Sequence, residues 1–307
     1  MTKKVAFLFP GQGSQAVGMG KDFYENSALA KEIYERADKV LDFDICHICF
    51  EENEEINNTE YTQAALVTTY LAITAEIENR GIHPDVTAGL SLGEYAAIAA
   101  AGGMTEEDAI KTVRQRGIFM NRAVPDGEVT MAAILGLGAE EIDSAIADIE
   151  GVSVANYNCP GQIVITGKKQ AVSEAMKVLE TAGARRAIEL NVSGPFHSKF
   201  LTEAGNQLGE TLEQIEMHPL KIPYVTNVTA QYVNDIQDTK ELLVKQVYSP
   251  VCWEQSVRNM IENGVDTFVE IGPGKTIAGF LRKIDKTVTC INISKYEDLE
   301  KLENIQK

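Results

Sequence analysis

The chain has 307 residues, 44% of them apolar, enough to bury a sizeable core in one large domain or two unequal ones. Its 28 basic side chains against 45 acidic ones leave a formal charge of −17, which excludes a nucleic-acid binder whose affinity rests on phosphate contacts. Five apolar residues before Pro10-Gly11 are too few for a signal core or a membrane span, so no membrane association and a cytoplasmic location are expected.

The run Val5-Ala6-Phe7-Leu8-Phe9 reads as a buried parallel strand that opens into the loop Gly11-Gln12-Gly13-Ser14-Gln15. Ligand sites form at the carboxyl ends of strands in open α/β sheets, so this donor-rich loop is a candidate wall of a site. It lacks the third glycine of a dinucleotide fingerprint, where Ala16 stands instead. Cys46-His47-Ile48-Cys49 has CxxC spacing, but no second pair completes a zinc site. A buried turn of helix is expected there, with no metal. With Cys159, Cys252 and Cys290 the cysteines form an odd, scattered set that fits reduced thiols rather than a disulfide framework.

Residues 64–80 keep apolar side chains on one helical face, and 86–88 read as a strand. Gly89-Leu90-Ser91-Leu92-Gly93 follows, a G-x-S-x-G pattern between that strand and the helix-forming run 94–99. In this context the glycines permit a strained strand-to-helix turn that exposes the serine hydroxyl and aims helix N-terminal amides, including that of Leu92, at a developing oxyanion. An ordinary Gly-Ser turn is the alternative. Thr105, with Glu106, Glu107 and Asp108 after it, marks the start of a helix reaching about residue 121, ended by Val124-Pro125-Asp126-Gly127.

Beyond that break the predicted order is strand 131–137, helix 139–149, strands 152–156 and 162–166, helix 170–182 and strand 186–192. This βαββαβ order is the signature of a ferredoxin-like unit. The expected organisation is therefore an α/β-hydrolase-like domain with a parallel sheet, residues 1–123 and 192–307, carrying an inserted ferredoxin-like subdomain at 124–191. Gly161 to Lys168 is one residue too long for a Walker A loop and has a strand-like interior. Later strands are expected at 222–226, 267–271 and 287–291.

A serine needs a base, and there are four histidines: His47, His83, His197 and His218. The first two fall in presumed surface segments and the last beside a likely loop. His197 lies in Ser193-Gly194-Pro195-Phe196-His197-Ser198, a turn at the domain return, where clefts tend to form. A helix-capping histidine is the alternative. Arg116 shares its helix with Arg114 and Arg122, and on the residues alone it reads as one solvated arginine among several.

Separated motifs in order then resemble the malonyl-CoA:acyl carrier protein transacylase family of fatty acid synthesis, and the related acyltransferase domains of polyketide synthases. They are residues 9–15, 89–95, 115–120, 131–134, 158–162, 195–197, 246–253 and 270–274, spread over nearly the whole chain. The resemblance implies Ser91 as acylated nucleophile, His197 as base, and the amides of Gln12 and Leu92 as oxyanion hole. It implies Arg116 as clamp for the malonyl carboxylate, a role suited to a guanidinium that pairs through two parallel hydrogen bonds. It further implies Gln246 as the residue whose main-chain carbonyl orients the histidine, and Phe196 as a wall against an α-methyl branch. A methyl is worth about 1–3 kcal/mol, so that selectivity leaks. Leu90 departs from the pattern, which usually has histidine there.

The implied reaction is ping-pong transfer of malonyl from a coenzyme A thioester to the pantetheine thiol of acyl carrier protein, by a monomer without cofactor. Lys199, Lys275, Arg282 and Lys283 are candidate contacts for an acidic carrier. A serine thioesterase or a polyketide-pathway acyltransferase are the alternatives, and the carboxylate-binding Arg116 separates the first of these from a transferase.

Overall fold

The computed structural model describes residues 3–123, 128–190 and 194–305. The first part of the chain forms β1 (Val5–Phe9), α1 (Lys21–Asn26), α2 (Ala28–Val40), α3 (Ile45–Phe50), α4 (Thr59–Asn79), β2 (Val86–Gly89), α5 (Gly93–Ala100) and α6 (Glu106–Arg122). The middle forms β3 (Val129–Leu135), α7 (Ala139–Ile146), β4 (Val152–Cys159), β5 (Gln162–Lys168), α8 (Lys169–Thr181) and β6 (Arg186–Leu190). The last part forms α9 (Thr202–Glu213), β7 (Tyr224–Val225), β8 (Tyr232–Val233), α10 (Thr239–Tyr248), α11 (Trp253–Glu262), β9 (Thr267–Ile271), α12 (Thr276–Ile284) and β10 (Thr289–Ile293).

β1 is buried at every residue because it lies inside the main sheet, whose order is β10-β9-β1-β2-β7-β8. All its pairings are parallel except β7 with β8. Along β1 the side chains alternate between two cores: Phe7 and Phe9 pack with Tyr70 and Leu66 of α4, Ala6 and Leu8 with Trp253 and Phe268. Both faces are thus covered by helices, as a continuous apolar strand requires.

The middle segment builds a separate antiparallel sheet of order β4-β5-β3-β6, the ferredoxin-like arrangement, with its own core between sheet and helices, including Ile134, Ile142, Ile165, Val172 and Leu179. The predicted break at 124–127 and the predicted strand end at 191–192 lie outside the described residues. The small sheet is tied to the large one where β4 meets the segment after α10: Tyr157 N donates to Val251 O at 2.9 Å and Val251 N to Ala155 O at 2.8 Å.

Several boundaries differ from the sequence reading for local reasons. β3 stops at Leu135 because Gly136 turns left-handed, with φ 97°. β4 runs on to Cys159 through two register irregularities. β10 starts two residues later than expected because Asp285 Oδ1 accepts both Thr287 N and Thr287 Oγ1, which makes a turn of that stretch. β7 pairs over only two residues: Pro223 before it has no N–H to give, and after it Thr226 closes the hairpin turn, its N–H donating to Gln231 O and its O accepting from Ala230 N. α4 begins earlier than its apolar periodicity, at an N-cap where Asn58 accepts from Glu60 N. α6 starts as read, with Thr105 accepting from Asp108 N.

Cys46-His47-Ile48-Cys49 is one turn of α3, with Cys49 buried and His47 exposed beside Glu51. Among the described residues no group of three or more His, Cys, Asp or Glu could hold a metal ion, and no helix is long and apolar enough to cross a membrane.

Candidate active site

Ser91 sits at the tip of the turn from β2 into α5 with φ 54°, a left-handed conformation that costs a non-glycine residue about 1–3 kcal/mol and persists only where its surroundings fix it. Two close approaches explain the glycines. A Cβ on Gly89 would overlap the Gly93 main chain, and one on Gly93 would overlap the Phe9 carbonyl. Asn227 then clamps the turn: its Oδ1 accepts Ser91 N–H at 2.7 Å and its Nδ2 donates to Gly89 O at 2.6 Å.

His197 is the second strained residue, with φ 58°, and is 4% exposed. Its Nε2 lies 2.7 Å from Ser91 Oγ and its Nδ1 lies 2.8 Å from the main-chain oxygen of Gln246. A carbonyl only accepts, so the proton resides on Nδ1 and Nε2 is left to receive the serine proton. Burial first, and then the positive charge of Arg116, push this imidazole down to about 3, so it stands neutral at physiological pH. His47 and His83 are exposed and His218 lies half-buried in a loop, none of them at the serine.

Arg116 is not solvated, contrary to the reading from composition: it is 1% exposed, on the face of α6 that packs against α4. Its Nη2 donates to Ser91 Oγ at 3.0 Å and to Gln246 Oε1 at 3.0 Å, and its Nη1 to Gln63 Oε1 at 2.8 Å. The ring of Tyr95 lies 5.7 Å from its guanidinium carbon. Burial lowers its pKa from the usual range, but a guanidinium keeps its charge. Arg114 goes elsewhere, to Asp42 and against the rings of Phe43 and Tyr61, and Arg122 is exposed.

The remaining expected residues surround the serine. Gln12 lines the cleft, its side chain donating to Thr59 Oγ1 at 2.9 Å. Leu92 is the N-cap of α5, where the next three amides, of Gly93, Glu94 and Tyr95, are taken by the carbonyls of Leu90, Ser91 and Leu92. Phe196 and Leu90 form apolar wall, Leu90 lying over Gly11.

The cleft holds about 590 Å³ and is shared between the sheets: Gln12, Ser91 and His197 face Met131, Asn156, Asn158 and Gln162 of the small one. At its rim Lys283 donates to Gln162 Oε1 at 2.9 Å, while Lys199, Lys275 and Arg282 are exposed. Such a site can accept a serine proton and bind an anion beside the nucleophile.

Sequence reasoning missed Glu94, Asn227, Gln63 and the side chain of Gln246. Glu94 carried one signal, as the only charge in the run Gly93–Ala100. The other three are polar residues whose contacts come from distant parts of the chain.

Residues 6–298 match the acyl transferase domain family. The chain is 45% identical over 302 residues to a Bacillus subtilis protein named malonyl CoA-acyl carrier protein transacylase, with 97% of this chain and 95% of that one covered. Among solved structures it is similar to the malonyl CoA-acyl carrier protein transacylase of Clostridium perfringens, at 41% identity and TM-score 0.95 over 98% of this chain and 96% of that one. A malonyl-transacylase solved in complex with a type II PKS acyl-carrier protein is similar too, at 36% identity and TM-score 0.95 over 98% and 100% of the two chains.

Proposed function

The chain belongs to the acyl transferase domain family, and we propose that it transfers malonyl from malonyl-CoA to the pantetheine thiol of acyl carrier protein, the supply step of fatty acid synthesis. The observation that carries this reading is a buried guanidinium 3.0 Å from the hydroxyl of a serine that is itself 2.7 Å from a neutral histidine. A lipase or simple thioesterase would be hindered by a charge in its acyl pocket, whereas a malonyl group brings a carboxylate to meet it.

In the proposed mechanism Ser91 Oγ attacks the thioester carbonyl while His197 Nε2 takes its proton. The amides of Gln12 and Leu92 receive the oxyanion, coenzyme A leaves as the thiol with the proton from His197, and a malonyl-serine ester remains. The carrier's thiol then attacks that ester, with His197 acting in the same two roles. Arg116 pairs with the malonyl carboxylate throughout. That pairing also neutralises the charge that depresses His197, so the base strengthens when the right acyl group is bound. Phe196 crowds an α-branch. No cofactor takes part.

The free cysteines Cys46, Cys49, Cys159, Cys252 and Cys290 support a reducing, cytoplasmic setting. Initial rates measured against malonyl-CoA at several fixed concentrations of carrier protein should give parallel double-reciprocal lines, with malonyl recovered on the carrier. Intersecting lines, or free malonate as the main product, would contradict the two-step transfer and favour hydrolysis.

A further inference from the structure

One buried carboxyl beneath the serine takes no part in that mechanism. Glu94 stands three residues after Ser91 in the first turn of α5 and is 0% exposed. An acid in a first helical turn is usually explained by the helix dipole. This one is bonded across the fold instead: its Oε2 accepts from Gln246 Nε2 at 2.6 Å and from Asn227 N at 3.2 Å.

Both partners reach the reacting groups by further bonds. Gln246 Nε2 also donates to Ser91 O at 2.9 Å, its Oε1 accepts from Arg116, and its main-chain oxygen accepts from His197. Asn227 Oδ1 holds the Ser91 amide. A primary amide has one accepting end and one donating end. Turning Gln246 over would set its NH₂ against the guanidinium and its oxygen against the carboxylate, two repulsive contacts in place of two charge-assisted bonds. The guanidinium and the Ser91 carbonyl favour the observed orientation, and the carboxylate adds the charge-assisted bond that anchors the NH₂ end, a bond that a neutral amide at position 94 would weaken.

We propose that Glu94 is a positioning residue of the reaction: through the Gln246 side chain and the Asn227 amide it sets Arg116, His197 and Ser91 in place while touching none of the reacting atoms. The proposal rests on the roles given above to Ser91, His197 and Arg116. Three titratable groups face this carboxyl: Arg116 from α6, Tyr95 beside it on α5, and Tyr224 from β7. Burial pushes both phenols above their ordinary value, so they stay protonated, and Arg116 stays charged. Burial likewise pushes Glu94 up, to about 7, against the bonds and the positive charge that favour ionisation. A carboxyl raised in this way is ionised above that value and protonates as the pH falls through it. The positioning, and with it kcat/KM, is therefore present on the alkaline side and lost on the acid side.

The test compares the native chain with Glu94→Gln in single-turnover malonylation by malonyl-CoA from about pH 5.5 to about pH 9, alongside thermal melting. The native kcat/KM should fall on the acid side of about pH 7. The variant should be about 10- to 100-fold slower at the alkaline end, as expected for loss of a charge-assisted bond, and should lack that limb. A variant with native rates, or one that keeps the limb, overturns the proposal. Should that variant fail to fold, Glu94→Asp, which keeps the charge but shortens its reach to Gln246 and Asn227, takes its place, and native rates in it overturn the proposal. A native chain that takes up no malonyl overturns the activity and this proposal with it, whereas a reactive native chain beside an unchanged variant overturns only the proposal.

Discussion

Replacing His197 with alanine is expected to lower the rate of malonyl transfer by about 10⁴- to 10⁶-fold, the scale on which removal of a base cripples a serine nucleophile. The hydroxyl of Ser91 is a weak nucleophile while it holds its proton, and Nε2 of His197 is the acceptor 2.7 Å away. The other three histidines lie in exposed or loop positions away from the serine and cannot substitute. The fold should survive, because the left-handed turn around residue 197 is also fixed by Ser198 Oγ donating to Pro195 O at 2.6 Å. Stopped-flow release of coenzyme A, with circular dichroism as a check on folding, measures this. A variant retaining more than about a tenth of the native rate would remove His197 from the mechanism.

Arg116→Ala should separate two acyl donors. Transfer of malonyl is expected to lose about 10³-fold in kcat/KM, because the substrate carboxylate would enter a buried site with no partner. Transfer of acetyl should fall by no more than about tenfold, since that group has no charge to place and the loss is limited to the bonds from the guanidinium to Ser91 Oγ, Gln246 Oε1 and Gln63 Oε1. Removing the cation also lifts His197 back toward its ordinary value, because Arg116 is one of the two causes of its depression. The same cation favours ionisation of Glu94, so the acid limb of acetyl transfer, set by that carboxyl, should move to higher pH. Equal losses for malonyl and acetyl in steady-state assays would refute the carboxylate clamp.

Those two residues were not equally visible in the sequence. His197 was selected by scarcity and by its Gly-Pro turn, and Ser91 by glycines whose spacing reports two close main-chain contacts. Arg116 had no distinguishing feature beside Arg114, and only resemblance to a family picked it out. Its burial depends on which side of α6 meets α4, a matter of helix packing. The Gln246 side chain, Asn227 and Glu94 were less legible still, because their bonds join residues more than a hundred positions apart.

The fold shows the same division. β1 and β9 were readable as continuous buried runs, and α6 from the cap at Thr105, because those signals are local. β10 slipped because an aspartate two residues earlier captured the Thr287 amide and hydroxyl. β7 is shorter than expected because Pro223 has no N–H for the ladder and Thr226 closes the hairpin turn toward β8. Local pattern fixes an element, whereas its ends answer to tertiary contacts.

The central claim, that Ser91 carries the malonyl group, is tested most directly by intact-mass spectrometry after brief exposure of the chain to malonyl-CoA, followed by peptide mapping. The expected result is one malonyl group on Ser91, absent from Ser91→Ala and discharged when pantetheine-bearing carrier protein is added. No adduct on the native chain, or the same adduct in Ser91→Ala, would contradict it.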